Sequence, residues 1–594
     1  MRVVVFDFET TNLDKGDPLN KANRIVLASW WSSWDNKVRT TVGDEYEQGH
    51  LFAAIRSGDL LVAYNAKFEL QWLARAGIDV QDINIFDPML AEYVLAGNRR
   101  WKLSLDEVAG RYELGGKVSL ASSLIKGGIC PSEIPTSILR EYCEKDVWLT
   151  KRLWEKQVPL LEVNQLTHIA KNRFNTCRVL ADIEAQGVQL DVPRVEEEYT
   201  RTEAEHTRLQ TALDAMSGGL NWDTPKQVGE YLYTTLGFSE RTSRDGTPDR
   251  TDAGGRRTDE STILSLKAGN ASQRQFLGLY TAFAPLRLRM RNLTKLRNAG
   301  MEGGRLYAGY NQTIAQTHRL TSTGKKFKVQ FQNFDRDFKR LIVPKEPGFY
   351  IMEADAMQLE FRVAGHMGRD KQVLSDVLKK EDIHRYTASI IYDIPLSEVT
   401  NDQRTNAKPY TFKPLYGGNS GTEREVAYYE AFRKKYKETY QTQKKWTYEV
   451  LANGRLTTEY GMIFYWPDTK ISKSGYVDNT PSIFNYPVQG FATAEIIPIA
   501  LYCLWRRLQR DHMASKIINT VHDSVVLEVH EDEVKEVEAM VQKAFTQDVF
   551  RYLNKYYGIK FTIPLGVEVK VGTFWGDSSL SSSKFELSPE EALS

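Results

Sequence analysis

Strand-like apolar runs end in acidic residues in two distant parts of this 594-residue chain. The first run, Val3–Phe8, is β-branched and aromatic; it contains Asp7 and is followed by Glu9. Side chains along a strand alternate between its two faces, so both carboxylates project from the same face. Such a pair can hold a divalent cation between hard oxygen ligands. Alone it is a weak signal, because acidic pairs at strand ends are common.

The second run lies in the C-terminal half of the chain. Asp355 follows the apolar strand Phe349–Met352, and Asp523 lies between two further strand-like runs, Lys516–Val521 and Val525–Val529. The latter arrangement predicts a β-hairpin that displays Asp523 at its turn. The chain therefore places carboxylates at strand ends in two separate regions.

Composition excludes several classes of protein. Apolar residues make up 41% of the chain and charged residues 26%, which excludes a disordered tail, a collagen-like fibre and a small disulfide scaffold. No apolar run approaches the ~18 residues that cross a bilayer; the longest, Ile496–Trp505, contains Pro498. The N-terminus becomes acidic too early for a signal peptide. These features predict a cytosolic protein with no membrane association. The spacing of the four cysteines fits neither a zinc knuckle nor a redox pair.

The residue pattern predicts several domains of mixed α/β and α+β class. The first 160 residues form an α/β unit with a second strand at Arg24–Trp31 and helices at Lys67–Ala76 and Ser137–Gln157. Residues 163–305 are mainly helical, interrupted by a polar, Gly-rich loop at Glu240–Glu260 that is expected to be flexible. The remainder mixes strands and helices, and the Ser- and Glu-rich Asp577–Ser594 is predicted to be a disordered tail.

Basic residues are clustered although the net charge is only +1. The clusters are Ala284–Asn298 (with Arg287, Arg289 and Arg291), His318–Arg340 and Arg433–Lys445. Each alone is explained by a solvated helix face. Three in one nearly neutral chain favour a segregated groove that binds phosphates.

Two further motifs follow the N-terminal acidic pair. The segment Tyr64–Glu69 opens a helix with an acidic residue in its first turns, and Tyr142 and Asp146 lie four apart, on one helical face. Together with Asp7 and Glu9, these residues resemble the three exonuclease motifs of the DEDD superfamily, tyrosine subclass. Members of that superfamily act as proofreading domains with a ribonuclease H-like fold.

This resemblance covers roughly residues 1–160, including the segment around Asp87, and implies two-metal phosphodiester hydrolysis. Tyr142 is implied to orient the attacking water. The family usually has aspartate where this chain has Glu69, so a shifted ion and slower cleavage are expected. The implied metal ligands are Asp7, Glu9, Glu69 and Asp146.

A periodic motif lies between the two C-terminal aspartates. Arg404, Lys408, Phe412 and Tyr416 recur every four residues, which predicts one helical stripe of two cations followed by two aromatic rings. Such a stripe suits a nucleoside triphosphate, with the cations on the phosphates and a ring near the base. From spacing alone, an amphipathic surface helix with core aromatics is the better explanation. The strand-end aspartates make the nucleotide-binding interpretation specific.

These C-terminal residues resemble motifs A, B and C of family A DNA polymerases, the polymerase I-like group. The resemblance extends over residues 163–576. It is greatest to stand-alone phage replicative polymerases, because motif A reads Asp-Ala rather than Asp-Tyr. Other segments that fit are VLADIEAQGVQLD, NWDTPKQVGEYLYTTLGF, THRLTS with Arg319, FQNF with Gln332 and Asn333, EDIHRYTA with His384, and NYPVQG with Asn485 and Gln489.

The resemblance implies a role for each matching residue. Asp355 and Asp523 would hold two Mg²⁺ ions, for which Mn²⁺ could substitute, with the backbone carbonyl of Ala356 as a further ligand. Glu360 would be the steric gate against a ribose 2′-hydroxyl, with Tyr416 packed against it. The implied triphosphate ligands are Arg404, Lys408 and His384, with Lys408 also counted as catalytic, and Phe412 implies discrimination against dideoxynucleotides. The implied DNA contacts are Arg319, Asn333, Asn485, Gln489 and His522, with Arg287, Arg289 and Arg291 on the thumb.

The family's right-hand architecture would place the thumb at 163–305, the palm at 306–375 and 480–576, and the fingers at 376–479. Implied partners are primer-template DNA, dNTPs and a replisome helicase or primase, with the protein a monomer in the host cytoplasm during phage replication. Departures from the family pattern are Ser524 in place of Glu, Pro409 and Pro414 in the predicted helix, and Pro481 in place of Arg.

Two other functions stay open on the sequence. A single-subunit RNA polymerase shares the palm aspartates, but Glu360 argues against it. A non-catalytic nucleic-acid binding protein could keep the fold, but the intact Asp355, Asp523 and Lys408 argue against that.

Overall fold

The N-terminal unit is built on a five-stranded sheet. The structure is a computed structural model that describes residues 1–43, 49–79, 81–116, 119–240, 242, 247–251, 254–334, 336–473 and 475–594. The strands are β1 (Val3–Thr10), β2 (Ile25–Ser32), β3 (Val38–Val42), β4 (Leu60–Val62) and β5 (Ile85–Phe86), in the order β3-β2-β1-β4-β5. β1 runs antiparallel to β2 and parallel to β4.

Helices lie between and after these strands. They are α1 (His50–Ser57), α2 (Lys67–Arg75), α3 (Pro88–Ala96), α4 (Leu105–Arg111), α5 (Ser119–Lys126) and α6 (Thr136–Val163). α6 packs against β1 and β2 and so lies beside the strand that carries Asp7. The predicted α/β unit is confirmed.

Residues 167–301 are mainly helical, as predicted. They form α7 (Thr167–Gln186), β6 (Val188–Leu190), α8 (Val192–Ser217), α9 (Pro225–Glu230) with a following π-helical turn (Tyr231–Thr235), α10 (Glu260–Leu264) and α11 (Ala271–Met301). Aromatic residues around Trp222 and Phe276 form a hydrophobic cluster of their own between these helices. In the loop predicted at 240–260, residues 241, 243–246 and 252–253 lie outside the described residues, while Glu240 pairs with Arg250 and Arg256.

Short strands lead into the C-terminal half. They are β7 (Arg305–Leu306), β8 (Ala308–Asn311), β9 (Thr321–Gly324) and β10 (Ile342–Val343). β10, β6 and β7 form one small sheet, and β8 pairs with β9.

The C-terminal half is built on a second five-stranded sheet, in the order β14-β15-β11-β16-β17. Its central strand is β11 (Phe349–Ala356), and every neighbouring pair is antiparallel. The other strands of this region are β12 (Arg455–Thr457) and β13 (Ile463–Tyr465), which pair with each other, then β14 (Lys516–Val521), β15 (Ser524–His530), β16 (Leu565–Gly572) and β17 (Ser581–Leu587).

The helices of this half are α12 (Leu359–Gly368), α13 (Lys371–Leu378), α14 (Ile383–Tyr392), α15 (Asn401–Thr411), α16 (Glu423–Lys435), α17 (Lys437–Asn453), α18 (Thr480–Gln489), α19 (Ile497–Arg510), α20 (Val534–Lys543), α21 (Val549–Tyr552) and α22 (Pro589–Leu593). Thr480–Arg510 is one continuous helical stretch, with a π-helical turn between α18 and α19. Among the described residues it is the one helix long and apolar enough to cross a membrane, but its most apolar window is 83% buried in the protein core.

The disordered tail predicted at 577–594 is wrong. β17 pairs with β16 along its whole length, and α22 follows it with Ser588 as its N-cap. Phe585 and Leu587 pack against the core, and Ala592 is fully buried. The Ser-rich composition hid an edge strand in which only alternate residues need to be apolar.

The predicted four-residue stripe is only partly helical. Arg404 and Lys408 lie on α15, which ends at Thr411, and Tyr416 belongs to a short 3₁₀ helix, Lys413–Tyr416. Pro414 has no amide proton to donate to the carbonyl of residue 410, so the α-helix cannot continue past it. Pro409 is accommodated within the last turns of α15.

Candidate active sites

Asp355 and Asp523 are brought side by side by the central strands of the C-terminal sheet. β14 and β15 form the predicted hairpin, with Asp523 in its turn. The amide of Ala356 donates to the carbonyl oxygen of Asp523 over 3.0 Å. Asp355 is registered opposite Ser524 on one side and opposite Glu568 on the other. Two residues 168 positions apart in sequence therefore end on adjacent backbones.

The electrostatics of this pair favour a bound cation. Burial, which disfavours the charged form, and the neighbouring Asp523 raise the pKa of Asp355 to about 7. Burial also raises the pKa of Asp523, against which Arg319 acts. Two carboxylates that resist ionisation together are stabilised by a divalent cation, and their oxygen donors suit Mg²⁺ or Mn²⁺. The donor set thus fits the metal that the resemblance implies.

Two of the predicted residues, Arg319 and Glu360, lie near Asp523, and Gln489 bonds to Glu360. Burial raises the pKa of Glu360, whereas Arg319 and a hydrogen bond from Gln489 lower it. Burial lowers the pKa of Arg319, although the neighbouring Glu360 and Asp523 oppose this shift. Its buried Nε has no hydrogen-bond partner among the described residues. The cluster leaves a cationic donor available for a ligand.

The loop that carries Arg319 is held by the FQNF segment. The side-chain oxygen of Gln332 accepts from the amide of Ser322 over 2.9 Å, and its Nε2 donates to the carbonyl of Leu320 over 2.9 Å. His522 has a left-handed backbone conformation (φ 59°) in the hairpin turn, and the surrounding protein and Arg319 lower its pKa to about 4. His522 is therefore neutral at physiological pH.

The predicted triphosphate ligands form a second cluster. Burial first, then Arg404 and Lys408, lower the pKa of His384, so both cations lie near this imidazole. Its Nδ1 lies 2.9 Å from Thr411 Oγ1, and the Nε of Arg404 donates to Asp382 over 2.6 Å. The ring of Phe412 lies 5.7 Å from the rings of both His384 and Phe361. Although the stripe is not one helix, its cations and first ring remain together.

The N-terminal carboxylates also converge. Ligand atoms of Asp7, Glu9 and Cys143 lie within 4.8 Å of one another. Glu69 is 3% exposed, and burial, Asp7, Asp87 and Glu9 raise its pKa well above the usual range. Its Oε2 has no hydrogen-bond partner in the described part of the chain. A buried carboxylate oxygen without a partner, close enough to two other carboxylates to feel their charge, fits a metal-binding site.

Asp87 holds the segment that carries Glu69. Its carboxylate accepts from the amides of Asn65 (3.0 Å), Ala66 (2.9 Å) and Met89 (2.9 Å), which fixes the start of both α2 and α3. Burial raises its pKa to about 6, opposed by these hydrogen bonds. Glu69 therefore lies in the first turn of a helix whose start is fixed, near enough to Asp7 for that carboxylate to raise its pKa.

Cys143 was not anticipated as part of this site. Its thiol contacts the Oδ2 of Asp7 at 3.4 Å. Burial first, and then the charges of Asp7, Glu9 and Asp146, raise the pKa of this thiol. Tyr142 is buried beside it in a small apolar cluster. The sequence signal that could have found Cys143 is its position directly after Tyr142 on the same helix.

Comparison with known proteins agrees with the two sets of motifs. Residues 192–577 match DNA polymerase family A, and residues 1–162 match the 3′–5′ exonuclease family. The chain belongs to DNA polymerase family A. The family and the mixed multidomain fold class expected from the motifs are confirmed.

Relatives within family A include bacterial enzymes. The chain is 26% identical to DNA polymerase I of Chloroflexus aurantiacus, with 87% of this chain and 55% of that relative aligned. It is 26% identical to DNA polymerase I of Pseudomonas aeruginosa, with 97% and 64% aligned. The chain thus spans just over half to nearly two thirds of the length of these relatives. The POL domain of Pol1 from M. smegmatis, in a complex with DNA primer-template and dNTP, has the same fold, with a TM-score of 0.77 over 97% of this chain and 96% of that one at 21% identity.

Some DNA contacts predicted from the family A resemblance have partners within the protein. Arg287 pairs with Asp223 at 2.7 Å, and Arg289 pairs with Glu198 at 3.1 Å. These ion pairs reduce the positive field of the α11 cluster, although Arg291 is exposed. The side chain of Asn333 lies outside the described residues. Asn485 has a buried side-chain oxygen without a partner among them, as expected of a group that awaits a ligand.

Proposed function

We propose that the chain is a template-directed DNA polymerase that adds dNTPs to a primer 3′ end and proofreads with its N-terminal 3′→5′ exonuclease. The observation that carries the proposal is the adjacency of Asp355 and Asp523 beside Arg319 and Glu360. Membership in family A supports the same reaction.

Asp355, Asp523 and the carbonyl of Ala356 would hold divalent cations at the polymerase site. Such cations acidify a primer 3′-hydroxyl and neutralise the triphosphate when bound. Arg404 and Lys408, both on α15, would meet the phosphates, since both lie near His384 at the start of α14. A neutral His384, whose pKa is lowered, would contact a phosphate oxygen as a hydrogen-bond donor rather than as a cation.

Asp7, Glu9, Glu69 and Asp146 would hold the cations of the exonuclease site. Tyr142, one turn before Asp146 on α6, would orient the attacking water. The unpartnered Oε2 of Glu69 supports its place among the ligands despite the departure from aspartate. Cys143, in contact with Asp7, would fix the orientation of that carboxylate.

The right-hand assignment is part of the proposal. The thumb would comprise 163–305, the palm 306–375 and 480–576, and the fingers 376–479. Because β17 pairs with β16, we extend the palm to include residues 581–587. The proposed setting is phage DNA replication in the host cytoplasm, as a monomer that works with a helicase or primase.

One assay tests both activities. A labelled primer-template is incubated with Mg²⁺, with and without dNTPs: extension reports the polymerase and shortening reports the exonuclease. Replacing dNTPs with rNTPs tests the alternative of an RNA polymerase. Absence of extension would contradict the proposal.

Glu360→Ala is expected to relax sugar selection. Removing the side chain opens the space that a ribose 2′-hydroxyl needs, so rNTP incorporation should rise at least about tenfold relative to dNTP, or about 1.4 kcal/mol of selectivity. The measurement is kcat/KM for the two nucleotides. Glu398→Ala, an exposed glutamate outside the cluster, is the matched control. An unchanged ratio in Glu360→Ala would remove the steric-gate assignment.

Phe412→Tyr is expected to improve dideoxynucleotide use. A phenol at this position can donate a hydrogen bond that replaces one lost with the 3′-hydroxyl, and it lies near His384. We expect discrimination against ddNTPs to fall by about tenfold, equivalent to about 1.4 kcal/mol. Termination on a primer-template at a fixed ratio of ddNTP to dNTP measures this, with Phe432→Tyr, in the core of α16, as the control. Equal termination by Phe412→Tyr and the parent would contradict the assignment.

A further inference from the structure

Glu184 is a buried carboxylate at the junction of the two catalytic units. It lies on α7 and is 2% exposed. From the N-terminal unit, Lys67 pairs with it at 2.6 Å and Gln71 donates to it over 2.8 Å. From the C-terminal half, the amide of Tyr310 donates to it over 2.6 Å. Lys67 also donates to the carbonyl oxygen of Tyr310. The exonuclease helix α2 is thereby fastened to the backbone of β8 at Tyr310.

The side chain of Tyr310 points to the polymerase hairpin. Its hydroxyl accepts from the amide of Thr520 over 3.3 Å and donates to the side-chain oxygen of Asn519. The register of β14 shifts between Ile517 and Asn519, which marks a β-bulge. A bulge leaves backbone groups without ladder partners and redirects the strand, so the buried Tyr310 hydroxyl fixes its shape. Asp523 lies three residues beyond Thr520.

On the exonuclease side, the residue that bonds to Glu184 is also close in sequence to a predicted metal ligand. Lys67 lies two residues before Glu69, in the first turn of α2. Its bond to Glu184 is charge-assisted and only partly exposed to solvent, and such bonds are stronger and more directional than neutral ones. A change at Tyr310 therefore has a short, hydrogen-bonded route to a predicted metal ligand in each site.

We infer that Tyr310 is a positioning residue for both active sites, linking the bulge that aims Asp523 to the helix that carries Glu69 through Glu184 and Lys67. This inference rests on the proposed function, because the roles of Asp523 and Glu69 come from it. Tyr310 touches neither ligand directly. Tyr310 instead affects the positions of the two carboxylates, and therefore the affinity of each site for its cations.

Tyr310→Phe removes the hydroxyl alone and tests the inference. We expect the Mg²⁺ concentration for half-maximal rate to rise about threefold to tenfold for both primer extension and single-strand degradation. Hydrogen–deuterium exchange should increase at 516–523 and also at 65–71, on the far side of the junction. Tyr93→Phe is the matched control, because the Tyr93 hydroxyl bonds to the carbonyl of Ala315 in another contact between the units.

A double-mutant cycle uses Gln71→Met, which weakens the junction from the exonuclease side while preserving the Lys67–Glu184 pair. The combined effect on exonuclease Mg²⁺ dependence should be smaller than the product of the single effects, because Gln71 bonds to Glu184 and Glu184 in turn accepts from the backbone amide of Tyr310, whose hydroxyl the other variant removes. Multiplicative effects, a change confined to one site, or an equal change in Tyr93→Phe would overturn the inference. The exchange measurement does not depend on activity. A parent protein without activity would contradict the proposed function, and the exchange data would still test the coupling.

Discussion

Asp523→Ala is expected to reduce primer extension by about a thousandfold or more. The substitution removes one of the two adjacent carboxylates that would hold the cations, and a loss of about 4 kcal/mol of transition-state stabilisation corresponds to that factor. Affinity for duplex DNA should change little, because Asp523 is an acidic residue and supplies none of the positive charge that binds DNA phosphates. Single-turnover incorporation and a gel-shift measurement test the two parts separately.

The same variant has an expected effect on stability. Burial first, and then Asp523, raise the pKa of Asp355 from 3.8 to about 7. A carboxyl whose pKa is higher in the folded state binds its proton more tightly there, so without metal the protein loses stability as the pH rises from about 4 to about 7. Removing Asp523 lowers the pKa of Asp355 and weakens that dependence. Thermal unfolding in EDTA at pH 5 and pH 8 should show a smaller difference for Asp523→Ala than for the parent.

Asp532→Ala is the matched control for both measurements. Asp532 follows β15, and its side chain is 88% exposed. It should leave extension and the pH dependence of unfolding unchanged. Extension by Asp523→Ala at the parent's rate would show that the motif C assignment is wrong, whatever the stability result.

Asp7→Ala is expected to abolish removal of a mismatched 3′ end while extension of a matched primer stays at the parent's rate. Asp7 shares its site with Glu9, Glu69 and Cys143, and losing one ligand from that site should slow hydrolysis by about a thousandfold. The polymerase carboxylates stand on a different sheet and are untouched. Degradation of labelled single-stranded DNA and extension of a matched primer are measured on one preparation.

Asp79→Ala serves as the control in the N-terminal unit. Asp79 is exposed, and among the described residues its carboxylate accepts a hydrogen bond from the amide of Gln81 in its own loop. Both activities should match the parent. Persistent degradation by Asp7→Ala that elutes with the protein on gel filtration would mean that the N-terminal site is misassigned. Degradation in fractions without the protein would instead reveal a contaminating nuclease.

Local motifs predicted the elements that carry the chemistry. The hairpin around Asp523, the strand of Asp7 and the helix of Tyr142 and Asp146 follow from alternation and from helical spacing, which are properties of short segments. The errors were also local. Pro414 ends the helix of Arg404 and Lys408 before Tyr416, and the Ser-rich tail forms an edge strand. Both structures are decided by backbone hydrogen bonds, which composition and periodicity do not report.

The sequence by itself determined the family, the order of the two catalytic units and which carboxylates are candidates for the two sites, because these depend on residue types at fixed short spacings. Only the tertiary structure decided which distant groups meet. Cys143 contacts Asp7 because α6 packs on β1, and Tyr310 reaches the bulge of β14 because β8 lies across the junction with α7. Such contacts depend on how helices and sheets pack against one another. A contact between residues 100 or more positions apart produces no periodic pattern in a single sequence.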